Sequence, residues 1–134
     1  MVIDTSALLA ILQDEPERRA FNEAIEAADS RRLSVVSFVE LSIVIDTRFG
    51  AAGQRDLDLL LERAGVDLVP VDAEQARLAR RAYGLFGRGR HAAGLNFGDC
   101  FSYALARVLG EPLLFKGDDF SKTDVTAVLP PRSP

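Results

Sequence analysis

The chain has 134 residues, 48% hydrophobic and 27% charged, a size and balance suited to one compact domain with a substantial core. Its formal net charge of −4 argues against a general nucleic-acid binder, which carries a basic excess to displace phosphate counterions. A single cysteine, Cys100, excludes an intrachain disulfide, and with only His91 beside it the chain is poorly equipped for a Cys/His zinc site.

No apolar run approaches the roughly 20 residues that cross a bilayer, and the start lacks the basic and long apolar regions of a secretory signal. The expectation is a cytoplasmic protein with no membrane contact. It is read as one domain over 1–134, with Pro130–Pro134 as a loose proline-rich end.

Met1–Ile3 is short, apolar and followed by Asp4, Thr5 and Ser6, which are N-cap residue types, and then by the helix-forming run Ala7–Leu12. A second helix is expected from Pro16 to about Ala28, with Phe21, Ala24, Ile25 and Ala28 on one face. Ser34–Val36 reads as a second strand. Ser37 and Glu40 have the spacing of a capping box, so a third helix is expected from there, its stripe of Leu41, Val44 and Ile45 running to Gly50.

Gln54–Ala64 is a further helical stretch through Leu57, Leu60 and Leu61, stopped by Gly65, and Val66–Val71 is a third strand. Ala73–Phe86 is helical and ends in the glycine- and arginine-rich loop Gly87–Gly94. Asn96 is placed to cap a helix that has Asp99 at its third position and ends at Gly110. Pro112–Phe115 is a fourth strand, and Lys116–Lys122 a polar loop or single turn.

Apolar strands separated by helices predict an α/β fold, a three-layer α/β/α sandwich with a central parallel sheet. Sites in such sheets form beyond the carboxyl ends of the strands. Asp4, Glu40, Asp99 and the pair Asp118 and Asp119 all belong to that edge. Each has a local explanation: Asp4 as N-cap, Glu40 as capping-box partner, Asp99 as complement to a helix dipole, and Asp118 and Asp119 as turn residues. Gathered together they repel one another unless a cation is bound. Oxygen donors without His or Cys suit Mg²⁺ or Mn²⁺, and the chemistry that follows is phosphodiester hydrolysis. Thr5 and Ser6 are supporting hydroxyls, as helix caps or as orienting groups. Arg88, Arg90, His91 and Lys116, in loops near these acids, are candidate substrate-phosphate contacts, with solvated surface charge the plainer alternative.

Four segments carry a family resemblance: Met-Val-Ile-Asp-Thr-Ser at the start, Ser37 to Leu41, Leu95 to Ala106 and Leu113 to Phe120. In this order they resemble the PIN-domain ribonucleases, and within them the VapC toxins of toxin-antitoxin systems. The resemblance implies endonucleolytic RNA cleavage with Mg²⁺ or Mn²⁺, Asp4 and Asp99 as principal metal ligands and Glu40 as a ligand or orienter of water. The fourth acid falls in the doubled Asp118 and Asp119, with Asp118 taken as the ligand and both kept as catalytic candidates. It also implies an inhibitory VapB-like antitoxin and a homodimer. An antitoxin arginine attracted to the acids is one expected means of inhibition.

Two other readings compete. A receiver-type signalling domain needs paired acids after the first strand, where Asp4 is alone. A PIN fold kept only as a binding module retains no need for all of these acids.

Overall fold

The computed structural model describes residues 1–130, so that Pro130 alone of the expected loose end falls within it. Four short strands form one parallel sheet: β1 (Val2–Ile3), β2 (Arg32–Ser34), β3 (Asp67–Val69) and β4 (Leu113–Leu114), in the spatial order β3-β2-β1-β4. Between them run α1 (Thr5–Leu12), α2 (Arg18–Ala27), α3 (Val35–Ala64), α4 (Ala73–Phe86) and α5 (Phe97–Leu109). A single 3-10 turn, Phe120–Lys122, follows β4.

The strand order explains the layers. From β1 the chain steps outward through β2 to β3 and then returns across the sheet to β4 on the other side of β1. Right-handed crossovers put helices on one face during the outward steps and on the opposite face during the return. Side chains alternate across a strand, so Ile3 and Leu114 enter the core shared with α1, α2 and α3, while Val2 and Leu113 enter that shared with α4 and α5. The three-layer sandwich expected from the sequence is therefore present. Its reversal of direction lies between β1 and β4, the place where ligands collect in open α/β sheets.

The second helix starts at Arg18 rather than Pro16, the third and fourth strands are shorter than expected, and the boundary between the second strand and the third helix is shifted. The second strand is Arg32–Ser34, and the helix begins at Val35, because the Ser34 hydroxyl accepts the Val36 amide at 3.3 Å as its N-cap. The β-propensity of Val35 and Val36 yields to that cap and to packing. The capping box of Ser37 and Glu40 consequently does not form, since both lie inside α3. The expected break at Gly50 is present as a kink, with φ 61° and ψ −152° interrupting an otherwise continuous α3. Among the described residues no helix is long and apolar enough to cross a membrane.

Candidate active site

Asp4 sits one residue past β1 as the N-cap of α1 and is only 3% exposed. Its Oδ2 accepts the Ser6 amide at 3.0 Å and the Ser6 hydroxyl at 2.6 Å, and its Oδ1 accepts the Ser102 hydroxyl at 2.6 Å. The Ser6 Oγ in turn accepts the Lys116 amide at 3.0 Å, which joins the end of β1 to the end of β4. Ser6 is thus both a cap and a tie between strand ends.

With no capping box to serve, Glu40 turns toward α5. Its carboxylate lies over Gly98, in the space that a Cβ at that position would fill. Burial first, and then the charge of Asp4, push its pKa upward, while a hydrogen bond from the Thr5 side chain opposes them. Thr5 also reaches the Ser37 carbonyl at 3.3 Å, so it links α1 to the first turn of α3.

Asp99 and Asn96 form the capping box of α5: the Asp99 amide donates to Asn96 Oδ1 at 2.9 Å, and the Asn96 amide to Asp99 Oδ2 at 3.0 Å. The Asp99 carboxyl is raised to about 7, by burial first, then by Asp4, with smaller upward pushes from Glu40 and Asp119 and a lowering hydrogen bond from the Asn96 backbone. Asp4, Glu40, Asp99 and Asp119 therefore share one electrostatic field. Both members of the doubled pair are exposed. Asp119 precedes the 3-10 turn, and Asp118 offers its carbonyl to the Ser121 amide and hydroxyl.

Comparison with known proteins identifies the family. Residues 1–125 match the PIN domain. The chain belongs to the PIN domain family. It is 57% identical over 131 residues to the ribonuclease VapC30 of Mycobacterium tuberculosis, covering 98% of this chain and 100% of that one. To a ribonuclease VapC of Mycolicibacterium smegmatis it is 59% identical over 128 residues, covering 96% and 99%. The crystal structure of VapC20 from Mycobacterium tuberculosis, described as a Sarcin-Ricin loop cleaving toxin, shares the fold with a TM-score of 0.77 at 18% identity, over 96% of this chain and 98% of that one. VapBC2 from Rickettsia felis, solved bound to a DNA fragment from the promoter, does so at 0.74 and 13% identity over 94% of each chain.

The four basic candidates occupy different situations in this PIN domain. Arg88 and Arg90 are exposed in the loop after α4, with the Arg90 guanidinium 6.0 Å from the Tyr83 ring centroid. His91 is drawn into the loop's own structure, its Nδ1 accepting the Ala93 amide at 3.0 Å and its ring edge-on to Phe86 at 5.2 Å. The Lys116 ammonium is held by Glu15 at 2.6 Å and Glu17 at 3.3 Å, and the Glu15 hydrogen bond raises its pKa. A cavity of about 460 Å³ opens between α4 and α5, lined among others by Tyr83, Arg88, Phe97 and Phe101.

Three residues of the site were not singled out from the sequence: Gly98, Ser37 and Ser102. A glycine in the first turn of a helix, directly before an acid, was the available signal for Gly98, because it lowers helix propensity without serving a turn. Ser102 lies three residues after Asp99, on the same helix face. Ser37 was misread as a cap.

Proposed function

We propose that this PIN domain is an Mg²⁺- or Mn²⁺-dependent endoribonuclease, the toxin of a toxin-antitoxin pair, inhibited by its cognate VapB-like antitoxin. The observation that carries the reading is the gathering of Asp4, Glu40, Asp99 and Asp119 at the strand ends where the sheet reverses direction, close enough that the other three push the Asp99 carboxyl upward. The high identity to named VapC ribonucleases supports the same reading.

The donors fit a hard cation by their chemistry. They are carboxylates, and the charge of Asp4 pushes the pKa of both Glu40 and Asp99 upward, so a positive charge among them relieves that repulsion. Neither soft donor competes, since the buried Cys100 thiol is pushed up to about 11 and the His91 Nδ1 is engaged in its loop. Among the described residues no three such side chains yet surround a point closely enough to hold an ion. Glu40 lies over Gly98 and Asp99 Oδ2 accepts the Asn96 amide, so the carboxylates would draw together on binding, and Asp99 can keep its cap bond through one oxygen while offering the other.

Asp4, Asp99 and Glu40 are the proposed ligands. Of the doubled pair we assign the fourth place to Asp119, whose charge acts on Asp99, and not to Asp118. When bound, the cation makes water more acidic and offsets charge on the phosphate. The chain itself supplies placement: Asp4 is fixed by three hydrogen bonds, and Glu40, steadied by Thr5, orients the attacking water. Arg88 and Arg90 meet RNA phosphates.

The proposed partners are RNA, an antitoxin whose arginine is drawn to the acids, and a second copy of the chain, all in the cytoplasm. The decisive experiment is hydrolysis of an RNA panel with Mg²⁺ or Mn²⁺ and with EDTA, beside Asp4→Asn and Asp99→Asn. Metal-dependent cleavage by the parent protein alone is expected. Equal activity in the variants overturns the assignment, and RNA binding without turnover indicates a binding module.

A further inference from the structure

Two buried serines outside the acid set bear on the same site, and we infer that Ser102, backed by Ser37, is a positioning residue that fixes the Asp4 carboxylate. This rests on the reading of Asp4 as a working acid of the nuclease. Ser102 Oγ is 2.6 Å from Asp4 Oδ1 and 3.1 Å from Ser37 Oγ. Both serines are fully buried, and Asp4 is 3% exposed.

The proton inventory gives the direction of the chain of bonds. An ionised carboxylate only accepts, so the single hydroxyl proton of Ser102 goes to Asp4, and Ser37 must donate to Ser102. The backbone adds to the case. A serine or threonine inside a helix ordinarily bonds back to the carbonyl four residues earlier, as Ser42 does to Phe38 at 2.7 Å and Thr47 to Ile43 at 2.8 Å. Ser102 instead faces Asp4 and Ser37, while Ser37, in the first turn of α3, has no helical carbonyl four residues earlier to bond.

Position explains the pairing. Ser102 follows Asp99 by three residues in α5, and Ser37 precedes Glu40 by three in α3, so each serine shares a helix face with an acid. The line from Ser37 through Ser102 to Asp4 thereby joins the three segments that carry Glu40, Asp99 and Asp4. Every other residue of the stretch from Tyr103 to Ala106 beside Ser102 is apolar or aromatic and buried, and local packing alone does not call for a hydroxyl there. Groups that hydrogen-bond a metal ligand set its orientation, and their loss weakens metal affinity by about 10- to 100-fold.

The test uses the full-length protein and the variants Ser102→Ala and Ser37→Ala. In metal-free protein the ¹³C signal of the Asp4 carboxylate is expected to shift in Ser102→Ala, and less in Ser37→Ala. Mn²⁺ affinity, measured by calorimetry without RNA, is expected to fall about tenfold or more in Ser102→Ala. The same variant should lower kcat while leaving KM for RNA unchanged. Ser37→Ala reaches Asp4 only through Ser102, so a smaller loss of the same kind supports the inference even where Ser102→Ala does not fold. An unmoved Asp4 carboxylate signal, or unchanged Mn²⁺ affinity in both variants, overturns it. Should the parent protein bind no Mn²⁺ and cut no RNA, the nuclease reading falls, while the carboxylate signal still decides whether Ser102 positions Asp4.

Discussion

The Glu40 carboxylate lies over Gly98 in a space that the Cβ of any other residue would enter. One helix thus leaves a gap in its first turn for an acid from another. The two effects of adding a methyl group there oppose each other. Alanine improves helix propensity by up to about 1 kcal/mol, whereas the overlap displaces the carboxylate or costs about 1 to 3 kcal/mol of strain. Because Glu40 is partly exposed, it is the side chain that gives way. Gly98→Ala is therefore expected to change the melting temperature little but to lower RNA cleavage by about 100-fold, the penalty typical of a displacement near 1 Å. Cleavage and melting curves of the variant check both halves, and unaltered cleavage would remove Glu40 from the mechanism as drawn.

The raised pKa of Asp99 makes stability fall with rising pH. An aspartate in the unfolded chain titrates near 3.8, whereas this one titrates near 7 in the folded protein. Between those values the folded state holds a proton that the unfolded state has lost, so stability decreases from about pH 4 and the loss is complete above about pH 7. In EDTA, the melting temperature of the parent protein is expected to drop further between pH 5 and pH 8 than that of Asp99→Asn, which has no carboxyl to titrate. Mg²⁺ or Mn²⁺ should reverse the drop at pH 8, since the cation competes with the proton for the same carboxylate. Parallel pH profiles for the two proteins would show that Asp99 is not perturbed in this way.

The doubled aspartate offers a comparison between neighbours. Asp119 contributes to the field on Asp99, whereas the Asp118 backbone carbonyl accepts the Ser121 hydroxyl. Asp119→Asn is expected to weaken Mn²⁺ binding and slow cleavage by about tenfold, as loss of a proposed ligand does, and Asp118→Asn to leave both within about twofold, since it is Asp119 and not Asp118 whose charge reaches Asp99. Titration calorimetry and initial rates measure the difference. A larger effect at Asp118 would exchange the two assignments.

Much of this was legible in the sequence because it depends on local signals. The apolar pairs Val2–Ile3 and Leu113–Leu114, the caps at Asp4 and Asn96, and the stop at Gly65 each act within a few residues. The acids were visible for the same reason, since each follows a strand or starts a helix. The start of α3 was misplaced because Ser34 and Ser37 both resemble caps, and only their partners distinguish them, the Val36 amide for Ser34 and the Ser102 hydroxyl for Ser37. Gly98 and Ser102 act across the sandwich on Glu40 and Asp4, and a partner 58 or 98 residues away has no signature in a single sequence. The electrostatic preference for Asp119 over Asp118 likewise arises only when the end of β4 is brought beside α5.

The basic residues separate by what already holds them. Lys116 is bound to Glu15 and Glu17, so its charge is locally cancelled, and contact with a phosphate requires breaking two ion pairs. Arg88 and Arg90 are exposed in the loop that leads into Asn96 and Asp99. Each arginine that meets single-stranded RNA releases counterions, and its removal lowers the slope of log affinity against log salt by about 0.7. Arg88→Gln and Arg90→Gln are therefore expected to reduce that slope by about this amount each, and Lys116→Gln to leave it nearly unchanged. The melting temperature should move little in Lys116→Gln, because surface ion pairs contribute little to stability. Binding measured on inactive Asp4→Asn protein across a salt series separates these cases. A slope that falls for Lys116→Gln and not for the arginines would mean that RNA displaces Glu15 and Glu17, and would move the RNA path from the α4–α5 loop to the turn between α1 and α2.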